Sequence, residues 1–260
     1  MSLIDQTLFG NIDKVQVAIE RLREFEPEKG YYLAFSGGKD SQCIYHLAVM
    51  SGVKFDAHYN VTTVDPPVLV KFIKSNYPDV KFDKPKLSMF QLISTKVMPP
   101  TRIVRYCCKY LKEDGGNGRI VVTGIRRAES TKRAGRKLFE TCNKSKLKHY
   151  LHPIIDWGED DVWEFIHSQK LEYCKLYDEG YKRIGCILCP MKTYADKLLD
   201  IKRFPRFKKA YIKAFDNMLK KRDKRGLVTD TWSTGEEVFD WWIKADYIKT
   251  NPDQTQMFEE

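Results

Sequence analysis

Apolar positions recur at helical spacing over residues 11–25, where Val15, Ala18, Ile19 and Leu22 share a face and Asn11 or Asp13 can cap the first turn. An amphipathic helix is expected there. Residues 31–35 form a short continuous apolar run ending at Ser36-Gly37-Gly38, which reads as a buried strand opening into a glycine turn. Helical spacing returns over 40–51, with Cys43, Ile44, Leu47 and Ala48 inward and Ser51-Gly52 as the stop. A second strand is expected over 55–62, a helix with proline at its start over 66–77, and a short third strand at 81–82. Residues 101–113 look helical up to the break at Gly115-Gly116-Asn117-Gly118, and 119–124 is another buried strand. Residues 147–155 read as extended and 158–168 as an amphipathic helix carrying Val162, Trp163, Phe165 and Ile166. Between them, 127–146 has no clean period and reads as a long mobile loop, while 191–247 looks mostly helical.

Strands alternating with helices imply right-handed crossovers and an α/β fold, a Rossmann-like parallel sheet with helices on both faces. In such a sheet ligands bind at the carboxyl ends of the strands, where the glycine turn and the Gly124-Ile125-Arg126-Arg127 segment both fall. The expected organisation is one α/β domain over 1–190 with a helical C-terminal extension, 191–260, packed on it.

At 260 residues and 42% hydrophobic content the chain can bury a substantial core. No apolar run reaches 18 residues and the N-terminus carries no basic-then-greasy leader, so a cytoplasmic protein away from membranes is expected. Seven cysteines, an odd number, argue against a disulfide framework; Cys43, Cys142 and Cys174 read as ordinary isolated thiols. The formal net charge of +10 is uneven. Residues 126–148 hold nine Lys/Arg against two acids, a net +7, and 202–225 hold eleven against two, a net +9. Such segments attract polyanions, either nucleotide phosphates or a tRNA or DNA backbone; for 202–225 a solvated helix face is the other reading.

Ser36-Gly37-Gly38-Lys39-Asp40-Ser41 lies between a strand and a helix. Two glycines let backbone N–H groups approach phosphate oxygens, the helix start adds partial positive charge, and Lys39, Ser36 and Ser41 supply a full charge and hydroxyls. The pattern is neither Walker A nor the dinucleotide fingerprint. It resembles the pyrophosphate loop of the N-type ATP pyrophosphatases, which split ATP between its α and β phosphates.

The adjacent Cys107-Cys108 and the pair Cys186-x-x-Cys189 supply four thiols that suit a [4Fe–4S] cluster or a tetrahedral zinc. Adjacent cysteines make an awkward zinc knuckle but can bind two irons of a cube. Arg105-Tyr106-Cys107-Cys108-x-x-x-Lys112, followed by Leu176-Tyr177-x-x-Gly180-Tyr181-x-x-Ile184-Gly185-Cys186-x-x-Cys189, is similar to the cluster signature of the adenylyl-sulfate reductases within the phosphoadenosine phosphosulfate (PAPS) reductase family. The resemblance runs from about Gly30 to Cys189 and takes in His152-Pro153-Ile154-Ile155-Asp156-Trp157. It implies an adenine nucleotide alpha-hydrolase-like fold and a cluster on Cys107, Cys108, Cys186 and Cys189 with Lys112 as charge partner. It also implies a substrate loop of Gly124, Arg126, Arg127, Ser130 and Arg133, with Ser36–Ser41 cradling phosphates.

Two features depart from reductases acting on adenylyl-sulfate: the phosphate loop is intact, and no cysteine follows Cys189, the 251–260 segment included. The first expectation is therefore an ATP pyrophosphatase that adenylates an acceptor, in the manner of DNA phosphorothioation or tRNA thiolation enzymes. Lys39, Arg126 and Arg127 would be catalytic, Mg²⁺ would offset phosphate charge, and a sulfur donor protein would be a partner. The alternatives are a phosphoadenylyl- or adenylyl-sulfate reductase acting on PAPS or APS, and a non-catalytic nucleotide-binding subunit.

Overall fold

The structure, a computed structural model, describes residues 3–8, 10–113, 115–142, 145–227 and 231–244. The last residues of the helical stretch expected over 191–247, and the 251–260 segment, lie outside them. The chain divides into two compact units, each drawn from separated stretches: Met1–Val61, Pro67–Lys84 and Asp114–Ile184 in the first, Thr62–Pro66, Pro85–Glu113 and Gly185–Glu260 in the second.

The first unit opens with an antiparallel hairpin, β1 (Ile4–Thr7) and β2 (Gly10–Asp13). Asp13 then caps α1 (Lys14–Glu24), accepting from Val15 N at 2.8 Å and Gln16 N at 3.2 Å. Alternating segments follow: β3 (Tyr31–Ala34), α2 (Lys39–Ser51), β4 (Phe55–Asn60), α3 (Pro67–Asn76) and β5 (Lys81–Asp83), then β6 (Ile120–Val122). Between β5 and β6 the chain forms α4 (Met89–Lys96) and α5 (Tyr106–Leu111), which belong to the second unit; after β6 a 3₁₀ turn at Arg127–Glu129 leads to the short α6 (Thr131–Ala134). The unit closes with β7 (Phe139–Cys142), β8 (Ser145–Leu151) and α7 (Glu159–Ser168).

The six-stranded sheet runs β5-β4-β3-β6-β8-β7. All neighbours are parallel except β7, which pairs antiparallel with β8 through an irregularity at Thr141/Cys142. Tyr31, Tyr32 and Leu33 of central β3 are all buried, which is why that strand reads as a continuous apolar run rather than an alternating one. The α/β, Rossmann-like class is thus the one expected, with one antiparallel edge. Gly52, at φ +74°, ends α2 in the left-handed region where glycine is unstrained.

Two expectations are corrected. Residues 127–146 are not a long loop: the described part holds a 3₁₀ turn, α6 and edge strand β7. Charge pairs order it, Arg133 with Glu129 and Arg136 with Glu140, so it carries no apolar period. The helix expected over 101–113 is confined to Tyr106–Leu111, because a turn closed by Thr101 Oγ1 accepting from Val104 N at 3.0 Å precedes it.

The second unit is helical: besides α4 and α5 it contains α8 (Tyr194–Arg203), α9 (Pro205–Lys224) and α10 (Gly235–Lys244). A capping box between Ser88 and Gln91 starts α4. Tyr211 and Phe215 of α9 pack against Trp242 of α10, whose Nε1 donates to Pro100 O at 2.6 Å; Met218 and Phe239 are buried as well. No described helix is long and apolar enough to cross a membrane.

Candidate functional site

The glycine turn sits where β3 passes into α2, at the carboxyl edge of the central strand. Gly37, at φ +71°, has no room for a side chain: a Cβ there would lie 2.7 Å from Ile73 Cδ1. Ser41 is buried and ties the loop to itself, its Oγ accepting from Ser36 N at 3.1 Å and donating to Gly38 O at 2.8 Å. Ser36 Oγ lies 3.1 Å from Ser41 Oγ, so both hydroxyls are gathered inside the turn.

Lys39 is buried, and its ammonium meets Glu159 at 3.2 Å and Asp40 at 3.7 Å. Its Nζ also donates to Lys182 O at 3.4 Å. Arg126 is buried too, its Nε donating to Asp40 at 2.6 Å and an NH2 nitrogen to Glu159 at 2.8 Å. Two cations and two carboxylates thus form one interlocked group. Burial alone would raise the Glu159 carboxyl, but Lys39 and Arg126 outweigh it and hold the group below its ordinary value. Gly124 lies at the carboxyl end of β6, where a Cβ would stand 2.7 Å from Asp40 O. Its missing side chain lets the arginine segment close on α2.

The other expected arginines are placed differently. Arg127 is half-exposed, donating to Arg136 O at 3.1 Å and approaching Asp156 at 3.5 Å. Arg133 pairs with Glu129, and Ser130 sits between the 3₁₀ turn and α6. Internal contacts therefore consume much of the positive charge of 126–148, Lys148 included, which is buried and donates to Gly115 O. Lys144 lies outside the described residues. In 202–225 the opposite holds. Helix α9 buries Tyr211, Ala214, Phe215, Met218 and Leu219, while Arg206, Lys209, Lys213, Lys220 and Lys221 face solvent.

Cys107, Cys108, Cys186, Cys189 and Lys112 all belong to the second unit. Cys107 and Cys108 share a hydrogen bond that pushes the first thiol up and the second down. Cys186 and Cys189 add their charges to Cys107, and Lys112 is held protonated foremost by the charge of Cys186, with Cys189 and Cys108 adding to it. Cys186 Sγ lies 3.4 Å from Thr62 Oγ1. The loop between Cys186 and Cys189 is braced by fully buried Asp200, which accepts from Leu188 N at 2.7 Å and from Lys192 Nζ at 2.7 Å. Leu188 takes φ +56°, so the brace holds a backbone that a leucine rarely adopts. None of the seven cysteines forms a disulfide. Among the described residues no three His, Cys, Asp or Glu gather so as to hold a single metal ion. A cluster asks something else of the thiols, because each binds its own iron.

Sequence reasoning missed Glu159, Asp200 and the role of Tyr177. Glu159 opens the helix after the His152–Trp157 stretch, and Tyr177 stands inside a recognised pattern; both could have been suspected. Asp200 gave no signal, since nothing in the sequence connects it to Leu188.

The phosphoadenosine phosphosulfate reductase domain matches residues 30–192. The chain is 32% identical over 135 residues to the adenosine 5'-phosphosulfate reductase of Staphylococcus epidermidis, covering 48% of this chain and 55% of that protein. It is 30% identical over 168 residues to a probable FAD synthase of Schizosaccharomyces pombe, covering 62% of this chain and 60% of the other. Among solved structures, the phosphoadenylyl-sulfate reductase of Candida auris in its phosphate complex superposes with a TM-score of 0.50 at 19% identity, covering 65% of this chain and 87% of that one. That likeness concerns the fold. The chain spans about half the length of the curated relatives it matches.

Proposed function

This chain belongs to the phosphoadenosine phosphosulfate reductase domain family, and from that premise we propose that it is an ATP pyrophosphatase-type enzyme that adenylates an acceptor for sulfur transfer. Relatives named as reductases and as a probable FAD synthase share the match, so the choice of reaction rests on the loop. The observation that carries it is the complete Ser36–Ser41 turn, with both hydroxyls gathered inside it and Lys39 and Arg126 interlocked with Asp40 and Glu159. A ligand without β and γ phosphates has little use for that full set of groups.

In this reading Ser36, Gly37, Gly38, Lys39 and Ser41 receive the pyrophosphate portion of ATP, through backbone N–H groups, hydroxyls and one ammonium. Asp40 and Glu159 neutralise Lys39 and Arg126 before the ligand arrives. The ammonium of Lys39 can turn from these carboxylates to the phosphates without leaving the site. Arg126 acts as the strut that orients Asp40, and half-exposed Arg127 is the arginine able to turn toward charge developing at the α-phosphate. Gly124, Ser130 and Arg133 shape the loop that presents it. The carboxylates of Asp40 and Glu159 are hard oxygen donors that fit Mg²⁺, which offsets phosphate charge when bound.

Cys107, Cys108, Cys186 and Cys189 would hold a [4Fe–4S] cluster, which supplies a sulfur-accepting or electron-transferring centre when bound. The donor set fits it: four mutually interacting thiols and a cation, Lys112, that offsets the anionic charge. A cytoplasmic setting keeps these thiols reduced, and a sulfur donor protein would be the partner. If the acceptor is a nucleic acid, tRNA or DNA, the exposed basic face of α9 is its holding surface.

The test incubates the full chain, cluster reconstituted, with ATP plus nucleic acid, and separately with adenylyl-sulfate or its 3′-phosphorylated form plus a thiol. Pyrophosphate released from ATP supports the proposal. Sulfite from the second reaction with no pyrophosphate in the first would make the chain a reductase. Binding without either product would make it a non-catalytic nucleotide-binding subunit.

A further inference from the structure

The phenol of Tyr177 reaches the phosphate loop from a distant part of the first unit. Its oxygen accepts the backbone N–H of Lys39 at 2.9 Å. Lys39 is the first residue of α2, so this N–H is one of the helix-start donors that have no partner within the helix and around which anion sites are built. A Cβ built on Gly38 would lie 3.4 Å from the same oxygen, so the phenol rests against the glycine turn itself. The Lys39 ammonium stands 5.5 Å from the centre of the Tyr177 ring.

A phenol can accept and donate at once. With a lone pair given to Lys39 N–H, its own proton must find another acceptor. Among the described residues the phenol oxygen of Tyr177 makes no second hydrogen bond. Burial holds the phenol well above its ordinary value, so it keeps that proton throughout the physiological range. The ring is also fixed in direction. Trp163 meets it edge-on at 5.1 Å, and Tyr173 at 6.3 Å with planes 67° apart.

We propose that Tyr177 is a phosphate-binding residue: anchored by Lys39 N–H, it donates its phenolic O–H to an oxygen of the pyrophosphate portion of the nucleotide. The inference rests on the reading of the Ser36–Ser41 loop as the phosphate site and extends it by a side chain from outside the motif. It also accounts for how a self-satisfied loop takes up its ligand: the phenol need not leave, because the hydrogen bond it offers is additional to the one it accepts.

The experiment uses Tyr177→Phe in the full chain, which keeps the ring, its aromatic neighbours and its contact with the Lys39 ammonium. Calorimetric titrations with inorganic pyrophosphate, ATP and AMP are compared with wild type, and thermal midpoints establish that the fold is intact. Loss of one hydrogen bond to a charged oxygen should weaken pyrophosphate and ATP by roughly 10-fold or more. AMP, which lacks the β and γ phosphates, should bind as before. Unchanged or tighter pyrophosphate binding by the variant overturns the proposal, and so does an equal loss for AMP, the mark of a merely structural role. Failure of wild type to bind pyrophosphate would instead remove the phosphate-loop reading, and this inference with it.

Discussion

Acidification should destabilise the first unit through one histidine. His152 is fully buried, with Nδ1 2.7 Å from Thr123 Oγ1 and Nε2 3.1 Å from an Arg136 NH2 nitrogen. An arginine can only donate, so Nε2 accepts and Nδ1 carries the proton toward the threonine. Burial, then the Arg136 charge, pushes the imidazole down to about 4. In the unfolded chain it returns to about 6.5. The unfolded state therefore binds more protons between these values. The stability associated with neutral His152 is complete above about pH 6.5 and is lost as pH falls through about 4. The gap corresponds to on the order of 3 kcal/mol. With a urea slope of about 3 kcal/mol per molar, that is a midpoint shift of roughly 1 M. Other carboxyls titrate in the same window, so the measurement is a difference: urea midpoints at pH 7 and pH 4.5 for wild type and for His152→Asn. Wild type should lose roughly 1 M more than the variant. Equal losses would show that His152 is not held neutral by its surroundings.

Gly124→Ala should cost about 1–3 kcal/mol, since its Cβ would stand 2.7 Å from Asp40 O and backbone must give way; calorimetry should show weaker ATP binding as the Arg126–Asp40 pairing is displaced. Asp200→Ala should lower stability by about 3 kcal/mol, because a fully buried carboxylate that holds Leu188 N and Lys192 is removed. Asp200→Asn, whose amide oxygen can still accept from Leu188, should recover part of the loss in denaturant midpoint and in iron bound after reconstitution.

Local chemistry was legible along the chain. The apolar run of β3, the glycine turn, a helix cap at Asn11 or Asp13 and the spacing of the cysteines are statements about neighbouring residues, and neighbouring residues carry them. The α/β alternation followed from the same periods, so the parallel sheet could be anticipated. What escaped was ordered by partners remote in sequence. Residues 127–146 looked shapeless because their order comes from charge pairs and edge pairing, which leave no apolar period. The basic count of 126–148 suggested an open polyanion surface until folding set Arg133, Arg136 and Lys148 against acceptors of their own. Glu159 and Tyr177 entered the phosphate site only through contacts across long stretches of chain, while Asp200 braces the cysteine loop through a side-chain contact that no apolar period announces. A sequence specifies which groups are available to bind phosphate or metal. Whether a given charge faces a ligand or a neighbour is decided by the tertiary structure, because burial favours pairing with whatever partner the fold brings near.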